Sequence, residues 1–352
     1  MHQFHDALVS FVERREIKMK KILTVSIAAY NAEKDIERCL DSLIQSGDMD
    51  KLDVIVVNDG SMDKTSQIVM PYVEKYADSL RLIEKENGGH GSTINASIKY
   101  AVGKYYKILD SDDWVDSDNL RKLIEYLANN DIDMVLNPYD EISYSDHTKK
   151  KRFELEYGAS ICEKKYDIEE MNKETVLYMH SLTFKTDVMK KMGSIIDEHC
   201  FYVDMEYCVF PMLHVKSFTY LDYSVYQYLL GSQTQSMNME NLIKRREQHM
   251  KVTKRLVDFY NQSSHCLPEN VRAVIQTRIK YAVYQQYKIY LNMQEKEAIK
   301  EVKEFDMWLK NESSELYAGP NGRLMKLIKL NRRTEYKFYR PLIKMVKMIK
   351  LL

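Results

Sequence analysis

The chain has 352 residues, 45% of them hydrophobic and 30% charged. That composition supplies ample apolar material for a core and excludes a disordered or fibrous chain. Lys plus Arg and Asp plus Glu both number 52, so overall charge gives no argument for a nucleic-acid partner.

In chain order, residues 1–20 lack the arrangement of a secretory signal. They read either as an amphipathic helix or as a lead into Met19, where MKKILTVSIAAYN opens. Apolar runs at 22–28, 52–57, 80–83, 105–109 and 132–136 predict strands. Amphipathic stretches at Glu33–Ser46, Asp63–Tyr76, Ser92–Val102 and Asp118–Asn129 predict helices between them. Strands apolar on both faces and separated by helices mark an α/β fold, a mostly parallel, Rossmann-like sheet flanked by helices. A polar, hairpin-like region follows to about Lys165, then a mixed segment to Gln235. From Met237 to about Lys310 a long glycine-free helical pattern is expected to pack on the sheet. The chain thus divides into an extension (1–20), an α/β region (21–235) and a helical C-terminal region (236–352). No run approaches 18 consecutive apolar residues, so no bilayer-spanning helix is expected. Five cysteines without CxxC or Cys/His spacing argue for a reducing compartment and against a zinc site.

In a parallel sheet, ligands bind at the carboxyl ends of strands, and four polar clusters fall there. The first is Ala29-Tyr30-Asn31, the second NDGS with Asp59, the third ENGGHG with Asn87, Gly88 and His90, the fourth Asp110-Ser111-Asp112-Asp113-Trp114. The acidic cluster could be a helix N-cap with first-turn acids. Capping needs one carboxylate, however, whereas three at the mouth of a buried strand repel one another. A hard divalent cation, Mn²⁺ or Mg²⁺, offsets that repulsion and keeps positions for phosphate oxygens. Asp59 is either turn chemistry or an acceptor for a nucleobase N–H or ribose hydroxyl. Tyr30 offers a flat face for the base, or is a half-buried aromatic. GGHGS at 88–92 is neither GxGxxG nor a P-loop. What remains is close backbone approach to a ligand and a helix N-terminus near Ser92 facing phosphate, with His90 at the ligand or at the surface.

In this order and spacing, AYN, VVNDGSMDKT and ENGGHGSTINASIKYAVGKYYKILDSDDW resemble the bacterial family 2 inverting glycosyltransferases of the A-type nucleotide-sugar fold, over roughly Ile22–Gln235. The resemblance implies transfer from a nucleoside-diphosphate sugar, a UDP-sugar first, to a carbohydrate or lipid-linked acceptor. It gives Tyr30 and Asp59 to the nucleoside, Asp110 and Asp112 to the metal, and Asp113 to the sugar or metal. Ala29, Asn31, Asn87, Gly88, His90, Asn95, Ser111 and Trp114 would line the donor site. Ala28 stands where the family commonly has Pro. Thr93-Ile94-Asn95 stands where it has Ala-Arg-Asn, leaving GGHG to substitute for the missing Arg. The family's later acidic motif matches YVDMEY, with Asp204 as catalytic base and Glu206 competing; a helix N-cap is the plainer reading of Asp204. YQYLLGSQTQS (226–236) resembles the loop that closes over donor and acceptor, and is equally consistent with core packing. A nucleotidyltransferase would need a Gly-rich basic signature near the first strand, which is absent. A non-enzymatic sugar-nucleotide-binding scaffold is compatible with the missing Arg.

Positions 320–352 carry ten basic residues and one acid. Arg323, Lys326, Lys329, Arg333, Lys337, Arg340, Lys344 and Lys347 follow helical spacing, interleaved with Leu327, Leu330, Phe338, Leu342, Val346 and Ile349. This reads as a basic amphipathic helix, broken at Pro341, on the inner face of an anionic cytoplasmic membrane. The alternatives are a helix packed on the body or a homo-oligomer contact.

Overall fold

The computed structural model describes residues 21–154, 162–231, 238–293, 295–319, 322–339 and 341. The expectations for residues 1–20, for QTQS in the closing loop and for the tail beyond Pro341 lie outside them. Strands run in the chain as β1 (Leu23–Ala29), β2 (Leu52–Asp59), β3 (Leu80–Lys85), β4 (Tyr105–Asp110), β5 (Trp114–Val115) and β6 (Met134–Leu136). They continue as β7 (Tyr139–Ser143), β8 (Lys149–Phe153), β9 (Tyr166–Asp167), β10 (Leu182–Lys185), β11 (Ser217–Tyr220) and β12 (Tyr226–Leu230). The helices are α1 (Ile36–Ile44), α2 (Thr65–Lys75), α3 (His90–Tyr100), α4 (Ser117–Asn129), α5 (Thr186–Met192) and α6 (Asp204–Val209). After them come α7 (Met239–Lys244), α8 (Arg246–Ser263), α9 (Glu269–Asn292), α10 (Glu295–Glu312), α11 (Ser314–Ala318) and α12 (Arg323–Arg333).

The main sheet has the order β3-β2-β1-β4-β10-β6-β11-β9. Its first four strands are parallel, and all eight residues of β2 are buried, as apolar faces on both sides require. Register aligns the strand ends: Ala29 pairs with Asn58, Ala28 with Asp110, and Asp59 with Lys85. The four polar clusters therefore meet on one edge. The expected run of strands is interrupted, because β10 inserts antiparallel between β4 and β6. Four residues, LTFK, three of them buried, between helical turns carry no period that would reveal them. A second sheet, β5-β12-β7-β8, contains the expected hairpin and pairs Gln227 with Trp114, beside the acidic cluster.

One sheet face is covered by α1, α2 and α4, whose Leu40, Leu43, Val69, Leu120 and Leu123 share one buried cluster with residues of β1, β2 and β4. On the other face, a buried cluster runs from Ile94, Tyr106 and Phe184 to Val274, Ile275 and Phe305, so the C-terminal helices share a core with the sheet. The tail helix α12 is docked on this body: Leu324, Met325 and Ile328 are buried, and Arg332 pairs with Asp306 at 3.0 Å. The hydroxyls of Tyr287 and Tyr336 also donate to Asp306. The helix ends at Arg333, short of Pro341, because Glu335 and Tyr336 turn into the left-handed region (φ 52° and 64°).

Candidate active site

The crevice is assembled by side chains that tie one strand end to the next. Asn31, at φ 51°, occupies a left-handed position that Asn tolerates better than most residues. Its backbone N–H donates to Ser61 Oγ at 2.9 Å, and its side-chain oxygen accepts from Met62 N–H at 2.9 Å. Tyr30 beside it is 55% exposed and free to face a ligand. Asp59 is buried, and both its oxygens are engaged: Lys85 Nζ (2.8 Å), Gly88 N–H (2.9 Å), Gly89 N–H (2.7 Å) and Ser92 Oγ (3.1 Å) donate to it. Asn87 donates to the carbonyl of Asp59 at 2.9 Å. Asp59 thus organises the ENGGHG loop in this structure.

That loop's glycines serve the protein's own backbone. A Cβ on Gly91 would lie 2.0 Å from the carbonyl of Asp197, so only glycine lets the 195–199 segment pack there. At Gly91 the close approach is made by this segment. Asn95 spends its amide on the same segment, donating to the Ile196 carbonyl (2.8 Å) and Glu198 (3.0 Å) and accepting from Ile196 N–H. The helix begins at His90, two residues earlier than expected.

At the end of β4, the three carboxylates differ sharply. Asp110 lies 3.3 Å from His90 Nε2. Burial would raise its carboxyl, but the adjacent His90 outweighs that and holds it below the ordinary range. His90 is half-buried; desolvation lowers its pKa, yet Asp110, then Asp204 and Asp112, raise it above the usual imidazole value. Asp112 sits at the rim; burial and then the Asp110 charge push its carboxyl up to about 6. Arg38 donates to the Asp112 carbonyl at 2.7 Å and lies 4.6 Å over the Trp114 ring. Asp113 is 1% exposed and accepts from the Tyr226 hydroxyl (2.6 Å) and Leu229 N–H (2.8 Å). Burial, then Asp112 and Asp110, drive it well above the carboxylate range. Ser111 is buried and donates its N–H to the Ala28 carbonyl. The cluster is not a helix cap: Asp116 caps α4, accepting from Asn119 N–H at 2.9 Å.

Asp204 opens α6 as its first helical residue and makes no capping bond. Its Oδ2 meets Arg278 of α9 at 3.3 Å. Glu206, two residues on, is fully buried, accepts from Asp197 N–H (2.8 Å) and faces Arg255 at 3.4 Å; burial pushes it up to about 7. His90 and Tyr228 both feel Asp204 and the β4 carboxylates, so Asp204 and the acidic cluster address one crevice.

Two residues of this crevice, His180 and Arg278, are not among those read from the sequence, and a third, Tyr226, has a sharper role than its sequence reading gave it. His180 is the middle residue of a short 3₁₀ turn (Met179–Ser181), stacks on Tyr228 with centroids 4.2 Å apart and meets the Tyr226 ring edge-on at 4.7 Å. Burial lowers it to about 4, so the ring is neutral near pH 7. No spacing signal marks it. Arg278 did leave a signal: it interrupts the buried stripe Val271, Val274, Ile275, Ile279, Ala282 of α9, where an unpaired cation would be costly. Tyr226, read from sequence as closing loop or core, is a buried hub whose hydroxyl accepts from Asp110 N–H at 3.1 Å. One ligand atom from each of Asp110, Asp113 and His180 lies within 4.8 Å of the other two, and Nδ1 of His180 is buried without a hydrogen-bond partner among the described residues. Oxygen and imidazole donors converging on one point fit a divalent cation.

A family model described as Glycosyl transferase family 2 matches residues 24–193. The uncharacterised glycosyltransferase MG025 homolog of Mycoplasma pneumoniae is 31% identical over 183 residues, 50% of this chain and 58% of that protein. The minor teichoic acid biosynthesis protein GgaB of Bacillus subtilis is 28% identical over 182 residues, 50% of this chain and 19% of that protein. The matched stretch therefore spans less than two thirds of these relatives. The crystal structure of S. aureus TarS 1-349 in complex with UDP-GlcNAc superposes with a TM-score of 0.65 at 17% identity, covering 93% of this chain and 92% of that one. The A-type α/β architecture expected from the sequence is thus the one observed.

Proposed function

We propose that this chain, which belongs to glycosyl transferase family 2, moves a sugar from a nucleoside-diphosphate sugar to an acceptor hydroxyl with inversion. The observation that carries this reading is the shared crevice. Asp110 at the end of β4 lies 3.3 Å from His90, and Asp204 at the start of α6, ninety-odd residues on and 3.3 Å from Arg278, is near enough to raise the same imidazole. A UDP-sugar is the donor we favour, with Tyr30 against the base and the Asn31 and Asn87 loops around the nucleoside. A divalent cation, Mn²⁺ or Mg²⁺, bound on Asp110 and Asp112 would neutralise charge on the departing diphosphate, a role typically worth several kcal/mol. Asp204 takes the proton of the attacking hydroxyl, and Arg278 orients its carboxylate. Asp204 is favoured over Glu206 because Glu206 is fully buried and engaged with Asp197 and Arg255. Asp113, engaged by Tyr226 and Leu229, fixes the cluster to β12. The acceptor we infer is a cell-surface polysaccharide or glycolipid precursor, met at an anionic membrane through the outer face of α12.

A screen for nucleoside-diphosphate release across common nucleotide sugars, with Mn²⁺ and with chelator, tests this. Asp112→Ala and Asp204→Asn should each lower turnover by about 10²-fold or more, the lower end of the usual general-base contribution. Only Asp112→Ala should weaken metal-dependent nucleotide binding. Pyrophosphate as product, or donor binding without release of any nucleoside diphosphate, overturns the reading.

A further inference from the structure

We propose that His180 is a direct ligand of the cation that Asp110 holds, making the site a mixed nitrogen–oxygen centre that prefers Mn²⁺ to Mg²⁺. The inference rests on the metal-dependent reading above and names a ligand that reading lacks. Donor atoms of Asp110, Asp113 and His180 fall within 4.8 Å of one another. Ligands about 2.1 Å from one ion lie up to about 4.2 Å apart across it, so these three can close on a single centre with a few tenths of an ångström of movement. Asp112, at the rim, adds a further oxygen.

The imidazole is prepared for that role. Its ring is clamped between the Tyr228 face and the Tyr226 edge. Its backbone is fixed from below by the buried Lys107, which donates to the carbonyls of His180 (2.9 Å) and Leu182 (3.1 Å). Nδ1 nonetheless has no hydrogen-bond partner among the described residues. A buried polar atom left unmatched is destabilising unless something binds it. His90 also approaches Asp110, at 3.3 Å, but it is not among the three groups whose donors converge. An imidazole donor shifts preference away from Mg²⁺, which demands an oxygen octahedron, toward transition ions.

Mn²⁺ added to the full chain, alone and with UDP, and followed by electron paramagnetic resonance, gives a test independent of turnover. Electron spin echo envelope modulation should show ¹⁴N coupling in the wild type and in His90→Gln, and lose it in His180→Gln. Mn²⁺ affinity should exceed Mg²⁺ affinity in the wild type and fall at least about tenfold in His180→Gln, as loss of metal-site support commonly does. If His180→Gln does not fold, the wild type and His90→Gln still decide. Bound Mn²⁺ without nitrogen coupling, or coupling that disappears with His90, overturns the role of His180 while metal-dependent transfer stands. No Mn²⁺ binding, with or without UDP, overturns both.

Discussion

Glu206 carries a carboxyl that the fold has taken fully out of water, facing the half-exposed Arg255 at 3.4 Å. Burial raises it from the ordinary 4.5 to about 7, against the pull of Asp197 N–H. The folded protein therefore holds a proton that the unfolded chain has released between those values, and stability falls as pH rises through that window. At about 1.4 kcal/mol per pH unit, the displacement sets an upper bound of about 3 kcal/mol. Asp112 is raised in part of the same range, so the clean comparison is with Glu206→Gln, which keeps Asp112. Urea unfolding should show the wild type losing stability relative to Glu206→Gln between pH 5 and pH 8. Parallel pH profiles would show that Arg255 already neutralises the site. Gly91 teaches the same lesson about single residues. Its sequence context suggests room for a ligand, and only the distance to the Asp197 carbonyl reveals that another loop fills the space.

At the scale of elements, legibility followed periodicity. Runs such as LDVIVV and the amphipathic α1 and α4 bury long, regular faces, so their pattern survives in one sequence. Elements of four to six residues, β10 and α6, are set by what packs on them from distant parts of the chain, which local pattern cannot record. The same division holds in the crevice: the carboxylates were visible as a cluster, whereas His180 and Arg278 arrive from elsewhere. Arg278 is 5% exposed at its side chain and reaches Asp204 from α9, linking the helical region to α6. Under the proposed mechanism it is a positioning residue. Arg278→Leu suits the apolar stripe around it and should lower kcat about tenfold or more while leaving the donor KM unchanged, since misplacing a base by 1 Å can cost up to about 10²-fold. Arg278→Lys should restore part of the loss. A raised donor KM with unchanged kcat would instead make Arg278 a donor contact.

At the scale of the whole molecule, the tail presents two faces with different partners. Its inner face is closed by Leu324, Met325, Ile328 and the Arg332–Asp306 pair, so α12 is bound to the body by burial and charge together. Its outer face leaves Leu330 57% and Phe338 58% exposed, amid the exposed cations Arg323, Lys326, Arg333 and Lys337. Among the described residues, no helix is long and apolar enough to cross a membrane, so a lipid surface would be met peripherally. Apolar side chains among cations suit an anionic bilayer, where each well-placed charge contributes about 1 kcal/mol at low salt. Replacing Lys326, Arg333 and Lys337 by Gln should therefore weaken binding to phosphatidylglycerol vesicles by roughly 10²-fold, from about 3 kcal/mol of lost attraction. Leu330→Ser with Phe338→Ser should reduce binding further and make the remainder more sensitive to salt, because insertion is lost and only screened attraction is left. None of these side chains belongs to the buried face, so thermal unfolding should be unchanged. Vesicle flotation that is absent in the wild type, or equal in all three proteins, removes the membrane from the account. Sedimentation would then show whether the same patch joins two copies of the chain.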